Sequence, residues 1–216
     1  MRAKKSLGQN FLMHARIAER IALAAKLSPD TVVFEIGPGT GMLTRELLKL
    51  SHKVIALEAD RGLFETLQVE FAHEIAEGTL ELMHGDIRTF DAGALPRQYV
   101  LVANIPYYLT GEILRMFLET TNQPSAMTLL VQKEVAERVV GNPERSRGTR
   151  AKKPYSAKAT KGKESILSLS VKAYGTPRYA FTVPRGAFRP APGVDSAVLT
   201  VRDISRKNFS TREQER

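Results

Sequence analysis

Asn104-Ile105-Pro106-Tyr107 places an amide oxygen, a main-chain carbonyl and an aromatic face within four residues. Those groups suit a planar amine such as adenine N6, which must be gripped through its hydrogens and stacked upon. Asn and Pro are also common in an ordinary strand-to-loop turn, so the tetrapeptide alone leaves both readings open. Upstream stands Glu35-Ile36-Gly37-Pro38-Gly39-Thr40-Gly41, which ends the apolar run Thr31-Val32-Val33-Phe34 and opens a helix. Together the two stretches read as a methyl-donor site facing a nucleobase-amine site.

The glycine loop differs from two common nucleotide loops. A dinucleotide fingerprint is G-x-G-x-x-G, whereas the glycines here, Gly37, Gly39 and Gly41, are spaced G-x-G-x-G. No Gly-Lys-Ser/Thr follows, which excludes a P-loop. Glycine lets a backbone approach its ligand closely, but Pro38 offers no N–H. The loop therefore suits a ligand lacking a pyrophosphate, such as S-adenosylmethionine. Glu58 ends the next apolar run, Lys53-Val54-Ile55-Ala56-Leu57, 21 residues after Gly37. An acid there hydrogen-bonds ribose hydroxyls in nucleotide-binding α/β folds. A plain strand–turn–helix with a surface Glu is the alternative.

The elements that must position these residues alternate along the chain. A helix is expected over His14–Leu27, with strands at Thr31–Ile36, Lys53–Glu58 and Thr79–His84. Helices at Met42–Leu50 and Arg61–His73 separate them. Tyr99–Ala103 and Met127–Val131 read as strands, Gly111–Glu119 and Lys133–Val140 as helices, and Ile166–Ala173, Tyr179–Val183 and Val194–Val201 as β-like runs. Strands separated by helical stretches imply an α/β fold with a doubly wound, Rossmann-like parallel sheet, closed by a C-terminal antiparallel hairpin.

A chain of 216 residues with 43% hydrophobic content buries one substantial core. It has no Cys, so disulfides are out and an intracellular setting fits. The basic start is interrupted by Ser6-Leu7-Gly8-Gln9-Asn10, and neither a signal peptide nor a membrane span follows. A soluble, cytoplasmic monomer is expected. The histidines 14, 52, 73 and 84 have no metal-ligand spacing, so no metal is expected. Of the net charge of +9, +7 lies between Asn142 and Lys163, where eight cations face Glu144 alone. That stretch reads as a mobile basic insertion, either a solvated surface or an arm on RNA phosphates. Arg178, Arg185 and Arg189 are open to the same two readings. Asp203–Arg216 reads as a charged, frayed tail.

Seven stretches in order carry a family resemblance. They are Leu7–Leu12, Glu35–Gly41, Glu58-Ala59-Asp60, Gly85-Asp86-Ile87, Asn104–Tyr107, Gln132–Arg138 and Phe188–Ser196. The chain resembles the ribosomal RNA adenine N6-dimethyltransferases over roughly residues 5–202. The resemblance implies that Asn10, Leu12, Gly37, Glu58, Asp86 and Asn104 line an S-adenosylmethionine pocket. Asp86 would hold the cofactor's adenine amine, and Ile87 would pack on its ring. Asn104, Ile105, Tyr107 and Phe188 would form the catalytic pocket, with Phe188 otherwise a core aromatic. It also implies dimethylation of adjacent adenines near the 3′ end of small-subunit rRNA, on an assembling small ribosomal subunit. Two further readings are large-subunit adenine methylation, as in antibiotic-resistance enzymes, and a non-catalytic RNA-binding factor on the same fold. Family members usually add a small helical domain after the Asp-Ser-Ala strand, and only 14 residues follow Arg202 here. The expected organisation is a catalytic domain over 1–202 and a tail over 203–216, with that helical domain missing.

Overall fold

The computed structural model describes residues 8–141 and 165–207. The expected basic insertion over 142–163 and most of the 203–216 tail lie outside the described residues.

The first described elements are β1 (Phe11–Leu12) and α1 (Ala15–Ala25). Helix α1 buries Ala18, Ile21, Ala22 and Ala25, the i, i+3, i+4, i+7 stripe of an amphipathic helix. It stops where Lys26 turns left-handed, with φ 53°. There follow β2 (Val32–Ile36), α2 (Met42–Leu48), β3 (Lys53–Glu58), α3 (Arg61–Glu70), α4 (Ala72–Ala76) and β4 (Leu80–His84). The chain then crosses to β5 (Val100–Asn104), α5 (Thr110–Glu119), β6 (Ala126–Gln132) and α6 (Lys133–Val140). It ends with α7 (Ile166–Tyr174), β7 (Thr176–Val183), β8 (Phe188–Arg189) and β9 (Ser196–Arg202).

Seven strands form one sheet in the order β4-β3-β2-β5-β6-β9-β7, parallel from β4 to β6. β9 runs antiparallel to both β6 and β7. Side chains alternate across the sheet, so successive residues feed two separate cores. Val33, Val54, Ala56 and Val102 pack with α1, α2 and α3 on one face. Phe34, Leu101, Ala103 and Leu129 pack with α5, α6 and α7 on the other. Phe34, fully buried, stacks on Phe90 at 4.9 Å and meets Phe117 at 5.9 Å. Burial of one such ring contributes about 1.5–3 kcal/mol.

Strand order reverses between β2 and β5, because the chain winds outward from β2 to β4 and then restarts on β2's other side. In open α/β sheets the crevice beyond the carboxyl ends of such strands takes the ligand. Gly37, Glu58, Asp86 and Asn104 all stand at or just past the C-terminal ends of β2, β3, β4 and β5.

Two sequence expectations are corrected. Ile166–Ala173, expected as a β-like run, is helix α7. Leu167, Leu169, Val171 and Ala173 alternate with polar residues, which mimics a half-buried strand. Packing against α6 decides otherwise: Ser168, Val171 and Tyr174 turn inward at helical spacing, while Leu169 is exposed. Ser165 caps the helix by accepting from the Ser168 N–H at 3.2 Å, and the Ser168 hydroxyl donates to the Val139 carbonyl of α6. The single helix expected over Arg61–His73 is broken at Phe71 (φ −110°). The Phe71 ring is buried against Gly41 at the start of α2, under the guanidinium of Arg45.

Candidate active site

The glycine loop is set by three left-handed turns. Gly37, Gly39 and Gly41 have φ of 68°, 62° and 71°, a region that costs a residue with a Cβ. Each glycine N–H is already used: Gly37 donates to the Leu57 carbonyl, Gly41 to that of Pro38, and Gly39 to Glu58 Oε2 at 3.0 Å. With Pro38 lacking an N–H, these four residues have no donor left for a phosphate. That fits a ligand bound through its hydroxyls, amine and ring, and disfavours a pyrophosphate.

Glu58 is 4% exposed and braces this loop. Besides Gly39, its Oε1 accepts from the Asp60 N–H at 2.9 Å. Burial raises its pKa, and the backbone donors, Asp60 and Gly39 foremost, pull it back. Each oxygen keeps a lone pair, so the carboxylate can organise the loop and still accept from a ribose hydroxyl. Asp60 caps α3 by accepting from Gly62 and Leu63, and takes a further bond from Gln9 Nε2 at 3.3 Å. That bond ties the N-terminal segment to the loop beyond β3.

Asp86 caps the short 3-10 turn Ile87–Thr89 and accepts from the Arg88 N–H at 3.0 Å. The Arg88 guanidinium also grips both Asp86 oxygens, donating from Nε to Oδ1 at 3.1 Å and from Nη2 to Oδ2 at 2.5 Å. These hydrogen bonds hold the Asp86 carboxyl below its usual range. Ile87 is buried beneath it, at 5% exposure.

Asn104 ends β5, and its Nδ2 donates to the Asn10 carbonyl at 3.4 Å. That assignment leaves Oδ1 as the acceptor of the amide. Asn10 is held in turn by its own Nδ2, which donates to the Gly8 carbonyl. Ile105 is buried, and Tyr107 opens the 3-10 turn Tyr107–Leu109. Phe188 lies in β8, which pairs antiparallel with β1 so that Leu12 stands opposite Phe188. This two-stranded ribbon carries Asn10, Leu12 and Phe188 over the ends of the parallel strands. Phe188 is 5% exposed and belongs to the core on that face, yet it also lines the cleft.

The ten residues assigned to the cofactor and catalytic pockets surround one cleft of about 1110 Å³, solvent at its mouth included. Asn10, Leu12, Gly37, Glu58, Asp86 and Ile87 border it with Asn104, Ile105, Tyr107 and Phe188. Sequence reasoning missed Glu35, a fully buried carboxyl at its floor that accepts from the Thr44 hydroxyl at 2.7 Å. Desolvation pushes Glu35 up to about 8, partly opposed by Thr44. Its signal was available: one charged residue inside the apolar run Val32–Ile36. Also missed was the hydrogen bond between the Tyr107 and Ser196 hydroxyls, across 89 residues, which no local pattern announces.

The family model for ribosomal RNA adenine dimethylase matches residues 1–215. The chain belongs to that family. It is 41% identical over 204 residues to a ribosomal RNA small subunit methyltransferase A of Dehalococcoides mccartyi, covering 93% of this chain and 63% of that relative. The chain thus spans less than two thirds of that protein's length. Among solved structures, the 23S rRNA methyltransferase ErmE is similar at a TM-score of 0.75 and 28% identity, covering 94% of this chain and 73% of that one. A dimethyladenosine transferase from Plasmodium falciparum is similar at a TM-score of 0.74 and 28% identity, covering 95% and 67%. Membership in the dimethylase family and the methyltransferase-type α/β sheet agree with what the motifs implied.

Proposed function

We propose that this chain carries the catalytic unit of an S-adenosylmethionine-dependent methyltransferase that N6-dimethylates adjacent adenines near the 3′ end of small-subunit rRNA. One observation carries the reading. Acceptors and aromatic faces for a planar amine (Asn104, Ile105, Tyr107, Phe188) share one cleft with Glu58, Asp86 and a loop whose three glycine amides are spent.

Bound there, the sulfonium donor supplies a methyl group for in-line transfer. Asn10, Leu12, Gly37, Glu58, Asp86, Ile87 and Asn104 are the residues that would hold it. The chain's own work lies at the target amine. Adenine N6 is a poor nucleophile because its lone pair is delocalised into the ring. Asn104 Oδ1 and the Ile105 carbonyl accept its two N–H bonds and draw the nitrogen toward a tetrahedral shape, freeing the lone pair. The same dipoles, with the faces of Tyr107 and Phe188, favour the positive charge that N6 gains. No general base is required, because the proton leaves readily after transfer.

The experiment is incubation of the protein and labelled methyl donor with under-methylated small subunits and, in parallel, with under-methylated large-subunit rRNA, followed by mapping. Label on adjacent adenines near the 3′ end of small-subunit rRNA supports the reading. Label confined to a large-subunit adenine would replace it with the alternative that the likeness to ErmE raises. No donor binding at all would leave the non-catalytic RNA-binding reading.

A further inference from the structure

Asp195-Ser196, at the end of the motif that begins with Phe188, and the motif that begins at Gln132 have no part in the chemistry above, yet the fold joins both to the target pocket. Ser196 is the first residue of β9 and is fully buried. It stands opposite Gln132 of β6 on one side and Val183 of β7 on the other. Its neighbour Asp195 is pinned as well: its carbonyl accepts from the Lys133 N–H at 3.0 Å, and its Oδ1 from the Arg185 N–H at 2.9 Å. The Ser196 hydroxyl therefore sits on a rigid mount, and the Tyr107 hydroxyl meets it at 2.6 Å.

Tyr107 has no such mount of its own. It opens a three-residue 3-10 turn with no side-chain cap, and its ring has two soft torsions. A hydrogen bond at the tip of the phenol fixes the first of these and so the direction in which the ring points. The bond matters here because a stacked base tolerates little tilt, and small misplacements of a reacting amine are costly.

We propose that Ser196 is a positioning residue of the target pocket. Its hydroxyl anchors the tip of the Tyr107 ring, so the antiparallel hairpin sets where the aromatic wall for the target adenine stands. The partly buried phenol, its pKa raised by that burial, stays neutral and keeps the bond across the working pH range. Replacing either hydroxyl removes the same constraint. This inference rests on the amine-pocket reading above.

Ser196→Ala, Tyr107→Phe and the double variant test it in the full chain. Each is assayed for kcat and KM on under-methylated RNA, for donor affinity, for Tm, and for quenching of 2-aminopurine placed at the target adenine. Each single variant is expected to lower kcat about 5- to 20-fold and to reduce the quench, with donor affinity unchanged. The double variant is expected to be no worse than the poorer single, since both lose one shared bond. Additive losses, or a falling Tm with kcat and quench at the level of the unaltered chain, would overturn the inference and leave Ser196 a packing residue. If the unaltered chain neither transfers methyl groups nor quenches the probe, the pocket reading itself fails and the inference falls with it.

Discussion

At the residue scale, two side chains of opposite character divide the work. Asn104 supplies an amide oxygen at the mouth of β5, oriented because its nitrogen is committed to Asn10. Asn104→Ala should weaken donor binding far less than it reduces turnover, which should fall by ~10²–10³, the range for losing one positioned polar group. Turnover near that of the unaltered chain at saturating RNA would discard the amine clamp. Glu35 instead makes stability depend on pH. Its folded pKa of about 8 lies above the ordinary value of 4.5, so in that window the folded state holds a proton that the unfolded state has lost. The stabilising contribution is complete below about pH 4.5 and disappears as pH rises through 8, at roughly 1.4 kcal/mol per pH unit for this one group. Glu35→Gln keeps a neutral partner for Thr44 and should flatten that decline. Urea midpoints at pH 5, 7 and 9 measure it, and parallel pH profiles for both proteins would refute the assignment.

At the element scale, the glycine loop and the break between α3 and α4 are one construction. A Cβ on Gly41 would lie 2.5 Å from the Phe71 ring and 3.0 Å from Leu67, at a φ of 71° that side chains rarely adopt. Gly41→Ala should therefore cost about 2–4 kcal/mol, from the left-handed backbone and from overpacking together. Gly37 offers a contrast: a Cβ there would find only the Asn104 carbonyl oxygen, at 3.8 Å. Gly37→Ala should thus impair donor affinity more than it lowers stability. Comparing calorimetric donor affinity with denaturation midpoints for the two variants decides the matter. Similar ratios of affinity loss to stability loss would show that the loop serves packing at both positions.

At the scale of the whole molecule, charge is the variable that stands apart from the cleft. Between Arg145 and Lys163 the sequence carries eight cations. If each neutralised a single-stranded RNA phosphate, the slope of log affinity against log salt would steepen by ~5–6. Contact with only some of them would yield a fraction of that ceiling. Deleting residues 143–162 should weaken RNA binding, flatten its salt dependence and leave donor binding untouched. An RNA titration at several salt concentrations reads this directly, and an unchanged slope would place the RNA elsewhere on the surface.

Much of the fold was legible because its strands are apolar and short, its helices carry a clear stripe, and turn residues punctuate them. The parallel strands β2 to β6, the glycine loop and the order of the motifs follow from such local signals. The misread segment, Ile166–Ala173, shows the limit: its apolar residues satisfy both a period of two and a helical face, and only contact with α6 chooses between them. The site divides in the same way. Residue types named Asn104, Glu58 and Tyr107, because chemistry depends on functional groups, while Asp86 was implied by the resemblance and the order of the motifs. That Glu58 accepts from Gly39, that Asn104 donates to Asn10, and that Ser196 meets Tyr107 was decided only when segments far apart in the chain came together. Hydrogen bonds between residues far apart leave no period or spacing in the chain, so the tertiary structure alone determines them.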